Sequence, residues 1–172
     1  PELAGLVSET VAAPSPVGFL PYLSGERTPL NDPDATGAFF GLRRAHGLPD
    51  LAQAVMEGVA FAFTDCVHAL RKAGTPIEAA YAVGGGARSR AWLRIMASAT
   101  GLRLLEPEDG DFGAAFGAAK LAAACATGDT SERVFAKPAV RAEVVPDAAL
   151  ADAYTKKYEA YRAAYPRLRD LP

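Results

Sequence analysis

The chain contains 172 residues, enough for one domain with its own core or for one large lobe of a larger protein. Half of the residues are hydrophobic, 22% are charged and the formal net charge is −2, a balance typical of soluble globular domains. Because no stretch is strongly basic, nucleic acids and anionic membranes are not expected among its partners.

Signals for targeting and metal binding are weak. The longest apolar stretch, 114–126, contains Lys120 and is too short to span a bilayer. The two cysteines and two histidines lack metal-ligand spacing, so no metal site is expected. Both cysteines lie in Ala-rich helical patterns, where buried thiols are expected rather than a disulfide, and this favours the cytoplasm. Since the first residue is Pro1, we expect a processed chain or a fragment of a longer one.

Predicted strands and helices alternate along the chain, which indicates an α/β fold. After a weakly helical segment at 2–12, strands are predicted at 17–20, 36–42, 77–83 and 102–105, with a strand or extended segment at 140–145. Helices are predicted at 50–73, 89–100, 111–127 and 147–165. The loop at 22–34 is rich in Gly, Pro, Asn and Asp, and is about as long as loops become without a function.

Two of these helices have informative faces. The segment 50–73 has the clearest helical spacing of apolar residues, with Asp50 at its start and Gly74 at its end. In 147–165, four tyrosines recur at spacings of four, three and four, and we expect them to form a face that docks on the core. They are Tyr154, Tyr158, Tyr161 and Tyr165.

Several carboxylates could be mistaken for catalytic groups. Asp50 and Asp111 stand at predicted helix starts, and we expect them to cap those helices. Glu57 lies in the middle of 50–73, where we expect a solvated or salt-bridged face. No carboxylate of this chain is therefore predicted to act as a catalytic base.

A pair of glycines interrupts the predicted helix 111–127. Gly113 and Gly117 lie one turn apart, although a glycine inside a helix costs about 1 kcal/mol relative to alanine. Two interpretations stay open, the close approach of a neighbouring backbone and simple tight packing.

The most informative motif is the glycine turn Gly84-Gly85-Gly86, between a predicted strand and a predicted helix. Glycines let a ligand approach the backbone closely, and free N–H groups at such a turn bind anions such as phosphate. The motif is not a P-loop, because no Gly-Lys-Ser/Thr follows, and it is not a Rossmann fingerprint, because Ser89 holds the third glycine position. Nucleotide binding is predicted, and a tight turn without a ligand is the alternative.

Four motifs in order resemble the C-terminal lobe of the FGGY family of carbohydrate kinases, and within it the xylulokinases. The first lies in 19–42, where Ser-Gly-Glu-Arg-Thr-Pro at 24–29 is the part most like xylulokinase. The second joins 37–42 to Asp50 and Glu57 and resembles a signature of the family. The third is Gly-Gly-Gly-Ala-Arg-Ser at 84–89, which resembles the family's adenosine-phosphate motif, and the fourth is the small-residue run at 113–119.

The resemblance implies an actin-like, ribonuclease-H-like ATPase lobe, with a mixed sheet flanked by helices. Residues 1–172 would form the C-terminal nucleotide-binding lobe, and the N-terminal lobe would be absent from this chain. The complete enzyme would use ATP and Mg²⁺ and transfer the γ-phosphate to D-xylulose. Nucleotide, sugar substrate and the N-terminal lobe are then the expected partners, and a homodimer stays open.

The resemblance also assigns roles to individual residues. Gly84, Gly85, Gly86 and Ala87 would lie against the nucleotide phosphates and ribose. Arg90 would lie near the adenine, at a position where many relatives carry an asparagine. On the loop facing the cleft, the candidates are Gly25, Arg27 and Thr28. Arg27 would either neutralise phosphate charge or form a surface salt bridge.

The family's general base is an aspartate of the N-terminal lobe, so no catalytic residue is expected here and this chain alone is expected to be inactive. Two alternatives stay open. One is a member of the same fold that is non-catalytic or acts on ribulose, gluconate or glycerol. The other is an actin-like ATPase with protein partners, against which the segment at 24–29 argues.

Overall fold

The computed structural model describes residues 4–108, 113–129, 131 and 134–169. Within these ranges the strands are β1 (Gly18–Leu20), β2 (Ala38–Phe40), β3 (Ala79–Tyr81), β4 (Arg103–Pro107) and β5 (Val140–Val144). The helices are α1 (Leu48–Lys72), α2 (Arg90–Thr100), α3 (Gly113–Thr127) and α4 (Ala148–Leu168). The predicted α/β alternation is confirmed. Near the N-terminus, the weak helix is reduced to a single 3-10 turn at Ala4–Leu6.

Strand pairing produces two separate sheets. β1 and β2 form an antiparallel pair in which Phe19 lies opposite Phe39. The second sheet has the order β3-β4-β5, with β3 parallel to β4 and β4 antiparallel to β5. This is the expected mixed sheet, with helices packed on it. Because parallel strands end at the same edge, the segments that follow β3 and β4 meet there.

Helix α1 begins two residues earlier than predicted. Leu48 and Pro49 form its first turn, where the fixed φ of proline suits a helix and its missing N–H is not needed. The Asp50 carboxylate accepts a hydrogen bond from the Gly47 N–H at 2.8 Å. Its predicted role as a cap is therefore confirmed, whereas Asp111 lies outside the described residues.

The core forms where α4 packs across α1 and the segment around β1. Tyr154 and Tyr161 are 1% and 2% exposed, and both rings contact Phe61 of α1. The hydroxyl groups of Tyr22 and Tyr161 form a hydrogen bond of 2.7 Å. The expectation that the tyrosines of α4 form a docking face is confirmed.

Glu57 does not lie on a solvated or salt-bridged face, and that expectation is wrong. Its side chain is buried in α1 and accepts hydrogen bonds from the Ser15 N–H at 2.9 and 3.1 Å. The Gln53 amide donates to it at 2.7 Å and the Tyr154 hydroxyl at 3.2 Å. Burial raises the pKa of the Glu57 carboxyl, and the hydrogen bonds from Gln53 and Ser15 oppose this shift. Helical periodicity cannot reveal the donors of Ser15 and Tyr154, because they come from distant segments.

Helix α3 is exposed along most of its length, with Leu121 64% exposed. A Cβ atom on Gly117 would meet nothing within 4 Å, and one on Gly113 would meet Val83 only at 4.0 Å. Within the described ranges, neither glycine therefore packs tightly. The thiols of Cys66 and Cys125 are free, but Cys66 is only half-buried and Cys125 is exposed, so the expectation of buried thiols is wrong. None of the described helices is long and apolar enough to cross a membrane.

Candidate functional site

The glycine turn leaves the end of β3 as a compact 3-10 turn, Gly85–Arg88, that leads into α2. Its closing hydrogen bonds run from the Ala87 N–H to the Gly84 carbonyl and from the Ser89 N–H to the Gly86 carbonyl, both at 3.1 Å. Ser89 then caps α2, since its hydroxyl accepts from the Trp92 N–H at 3.2 Å. The N–H groups of Gly85 and Gly86 take no part in these bonds and lie at an exposed position.

The three glycines serve different purposes. Gly84 has φ +79°, a left-handed conformation that side chains other than glycine adopt at a cost. A Cβ atom on Gly86 would lie 3.2 Å from Nε1 of Trp92, so this glycine makes room for the indole ring. A Cβ atom on Gly85 would meet nothing within 4 Å. The same is true of Gly84, so the space beside both residues is open.

Two cavities flank the turn, and they differ in chemistry. The polar cavity, of about 170 Å³, lies at the end of β3 and β4 and is lined by Ala82, Gly84, Ala87, Arg88, Glu106, Pro107, Glu108 and Arg141. The apolar cavity, of about 310 Å³, lies between the sheet, α1 and α2, and its lining includes Phe63, Val67, Tyr81, Val83, Gly86 and Trp92. Hydrogen-bonding groups for a polar ligand are therefore concentrated on one side of the turn.

Arg90, the residue expected near the adenine, is held by a buried carboxylate. Its guanidinium donates to Oε1 of Glu106, whose side chain is only 3% exposed. Arg141 of β5 lies 3.4 Å from the other oxygen of the same carboxylate. Burying a carboxylate is costly unless it is paired, and here two arginines supply the compensation. The result is an Arg90–Glu106–Arg141 triad, of which Glu106 and Arg141 line the polar cavity.

The loop at 22–34 is ordered by its own backbone and presents two of its candidate residues to solvent. Glu26 and Asp32 exchange backbone hydrogen bonds of 2.8 and 2.7 Å, and the Glu26 carboxylate accepts from the Leu30 N–H at 2.8 Å. Gly25 has φ +75°, and a Cβ atom there would lie 2.5 Å from the Pro33 carbonyl oxygen. Gly25 therefore has a structural role in shaping the loop.

Arg27 and Thr28 are exposed at the tip of this loop. The Thr28 carbonyl accepts a hydrogen bond from the Cys66 thiol at 3.6 Å, which ties the loop to α1. Three residues earlier on α1, Phe63 lines the apolar cavity that Gly86 also lines. The loop and the glycine turn thus both flank α1, although the lining residues of the two cavities do not include Gly25, Arg27 or Thr28.

The sequence reasoning missed Glu106 and Arg141. A charged residue beside the apolar run Leu104-Leu105 of a buried strand was a usable signal for Glu106. Arg141 offered no such signal, because it reaches the site only through the pairing of β5 with β4. No cluster of three metal-ligating side chains occurs within the part of the chain that the structure describes.

Comparison with known proteins gives one consistent result. Residues 2–126 match the model of the FGGY family of carbohydrate kinases, C-terminal domain. The xylulose kinase of Escherichia coli (strain K12) is 38% identical over 172 residues, which cover 99% of this chain and 36% of that protein. The xylulose kinase of Klebsiella pneumoniae is 45% identical over 122 residues, which cover 71% of this chain and 25% of that protein.

A solved structure agrees in both fold and sequence. The crystal structure of a xyloylose kinase from Brucella ovis superposes with a TM-score of 0.89 at 47% identity, covering 99% of this chain and 35% of that one. The chain spans only about a third of the length of this structure and of the Escherichia coli relative. Each likeness therefore concerns one part of a longer kinase.

Proposed function

Because this chain belongs to the FGGY family of carbohydrate kinases and has its actin-like ATPase fold, we propose that residues 1–172 are the C-terminal nucleotide-binding lobe of a kinase that phosphorylates D-xylulose. The complete enzyme transfers the γ-phosphate of ATP to the sugar. The observation that carries this proposal is the 38% identity to the Escherichia coli xylulose kinase across 99% of the chain.

The glycine turn suits the binding of ATP. The N–H groups of Gly85 and Gly86 are exposed and are not used to close the turn, so they can donate to phosphate oxygens. Open space at Gly85 permits this approach, and the neighbouring polar cavity receives another part of the nucleotide. In this arrangement Gly84 and Ala87 shape the turn, and Glu106, which pairs with Arg90, forms part of the cavity wall.

Mg²⁺ would be held mainly by the phosphates of ATP and by water, since it usually takes only one or two carboxylates from a protein. Phosphoryl transfer depends mainly on positioning and electrostatic stabilisation, and a single lobe supplies one wall of that site. The aspartate general base and the sugar-binding residues belong to the N-terminal lobe. The complete enzyme works in the cytoplasm.

The test compares the full-length kinase with the isolated 172-residue chain. We expect the full-length enzyme to couple ATP turnover to D-xylulose more efficiently than to ribulose, gluconate or glycerol, measured as kcat/KM for each sugar. The isolated chain should show no sugar-dependent turnover. Turnover by the isolated chain at ordinary kinase rates contradicts the division into lobes. A full-length enzyme that prefers another sugar contradicts the assignment of D-xylulose.

A further inference from the structure

The antiparallel pairing of β5 with β4 contains an irregularity at the edge of the polar cavity. Glu106 pairs with Ala142, whereas the next residue, Pro107, pairs with Val140. Arg141 is therefore the extra residue of a β-bulge, left without a partner on β4. Bulges of this kind redirect a side chain out of the regular alternation of a strand. This bulge directs the Arg141 side chain to the carboxylate of Glu106 and to the cavity.

Glu106 is the buried member of this triad, and its carboxylate holds both arginines. Its carboxylate is buried, while the side chains of Arg90 and Arg141 are 54% and 59% exposed. A guanidinium group has five N–H donors, and the single contact with Glu106 uses few of those on Arg141. The exposed part of Arg141 therefore offers donors to a ligand, and the buried carboxylate limits its movement.

The lining of the polar cavity indicates which part of a nucleotide it accepts. Two arginines and two glutamates line it, so the lining is formally neutral and contains both donors and acceptors. The charge of Glu106 is compensated by Arg90 and Arg141, whereas Glu108 would repel a phosphate chain but would accept hydrogen bonds from hydroxyl or amino groups. At about 170 Å³ the cavity is smaller than a site for a whole drug-sized ligand, which starts at about 300 Å³. A ribose with the edge of its base fits this chemistry.

We propose that Arg141 binds the nucleoside part of the nucleotide and that Glu106 is the positioning residue that holds Arg141 in place. The proposal rests on the proposed function, since it requires a nucleotide at the glycine turn. Arg141 lies outside residues 2–126, the range that the family model matches, so membership of the family does not assign it this role.

The test uses the full-length kinase and three variants. Arg141→Met removes the guanidinium group but keeps an unbranched side chain, and Glu106→Gln removes the charge but keeps the shape. Arg103→Met is the matched control. Arg103 also joins β4 to β5, through an ion pair with Glu143 at 3.2 Å, but it does not line the cavity. For each protein, the KM for ATP, kcat, and the inhibition constants of AMP and inorganic tripolyphosphate are measured.

We expect Arg141→Met to raise the KM for ATP and the inhibition constant of AMP by about tenfold. This is the change in affinity that corresponds to the loss of one charge-assisted hydrogen bond. The kcat and the inhibition constant of tripolyphosphate should be unchanged. Glu106→Gln should change the same two constants in the same direction but less, because glutamine keeps one acceptor oxygen. Arg103→Met should behave like the wild type.

Two results would overturn the proposal. One is a wild-type KM for ATP in Arg141→Met, and the other is a loss of tripolyphosphate binding as large as the loss of ATP binding. The second result would assign Arg141 to the phosphates. If Glu106→Gln fails to fold, Arg141→Met still decides the matter. A wild-type full-length protein that does not use ATP contradicts the proposed function itself, which distinguishes that failure from the other two.

Discussion

Glu57 and Glu106 are both buried carboxylates, at 1% and 2% exposure, yet their surroundings differ in a way that separates structure from function. Glu57 accepts hydrogen bonds from the Ser15 backbone and from Gln53 and Tyr154, all within the core formed by α1 and α4. Glu106 pairs with two arginines that remain more than half exposed beside a cavity and the glycine turn. A buried carboxylate whose hydrogen-bond partners are internal joins elements of the core, whereas one whose partners reach solvent can position groups for a ligand.

The largest effect in this comparison is expected for Glu57→Ala. Removal of the carboxylate leaves the Ser15 N–H and the Tyr154 hydroxyl without an acceptor, and leaves Gln53 with only the Ala13 carbonyl. The free energy of unfolding should fall by about 3 kcal/mol. The KM for ATP of the folded fraction should be unchanged. Urea denaturation of the full-length protein measures the first quantity, and Glu143→Ala, at an exposed carboxylate, is the control. A stability equal to that of the wild type would show that Glu57 does not stabilise the core.

For Gly85→Val, in the glycine turn, we expect the opposite of the Glu57→Ala result, with stability retained and ATP binding weakened. Its Cβ would enter open space, so stability should be retained, but the branched side chain should keep phosphates away from the amide donors. The KM for ATP should rise by about tenfold. Gly86→Val is a useful contrast, because its Cβ would press on Trp92 and should also reduce thermal stability. A folded Gly85→Val enzyme with unaltered ATP dependence argues against a nucleotide at the turn.

The smallest effect is a pH dependence of the free energy of unfolding that arises from the Glu57 carboxyl. Because burial raises the pKa of its carboxyl, the native state keeps this proton at pH values where the unfolded chain has lost it. The resulting stabilisation is complete below the ordinary glutamate pKa, about 4.3, and is lost as the pH rises through the raised value.

Glu57→Gln cannot titrate, so the free energy of unfolding of the wild type, relative to this variant, should decrease as the pH rises through that window. Chemical denaturation at a series of pH values measures the difference. Glu143→Gln, at an exposed site, is the matched control. A constant difference between Glu57→Gln and the wild type would mean that burial does not disturb this carboxyl.

Features that depend on residues close together in the sequence were predicted well. The spacing of the tyrosines in α4 predicted their docking face, and Asp50 was correctly interpreted as a cap, even though α1 begins at Leu48. Strand ends were less accurate. The predicted strand 77–83 pairs only over Ala79–Tyr81, because the chain beyond it turns towards the glycines. The ends of a strand depend on which of its backbone groups form hydrogen bonds with the paired strand. That strand lies elsewhere in the sequence.

In the candidate site too, features set by the local sequence were predicted and features set by distant segments were not. The glycine turn was predicted from the sequence, because Gly84 acts on the backbone immediately around it, whereas the cap that Ser89 supplies to α2 was not predicted. Gly25 was expected to face a cleft, which stays a prediction, and the structure shows that it shapes its own loop. Glu106 and Arg141 lie 35 positions apart and meet only through the bulge between β4 and β5. Nothing local in the sequence specifies that meeting.

The sequence by itself determined the α/β class, the glycine turn and the resemblance to a kinase lobe, because these depend on residue type and on spacings within a single element. The tertiary structure alone decided that Gly86 makes room for Trp92 and which buried carboxylate lies beside a cavity. The physical reason is that burial and pairing depend on segments that fold against one another. Ser15 and Tyr154 reach Glu57, and Arg141 reaches Glu106, from positions 35 to 97 residues away.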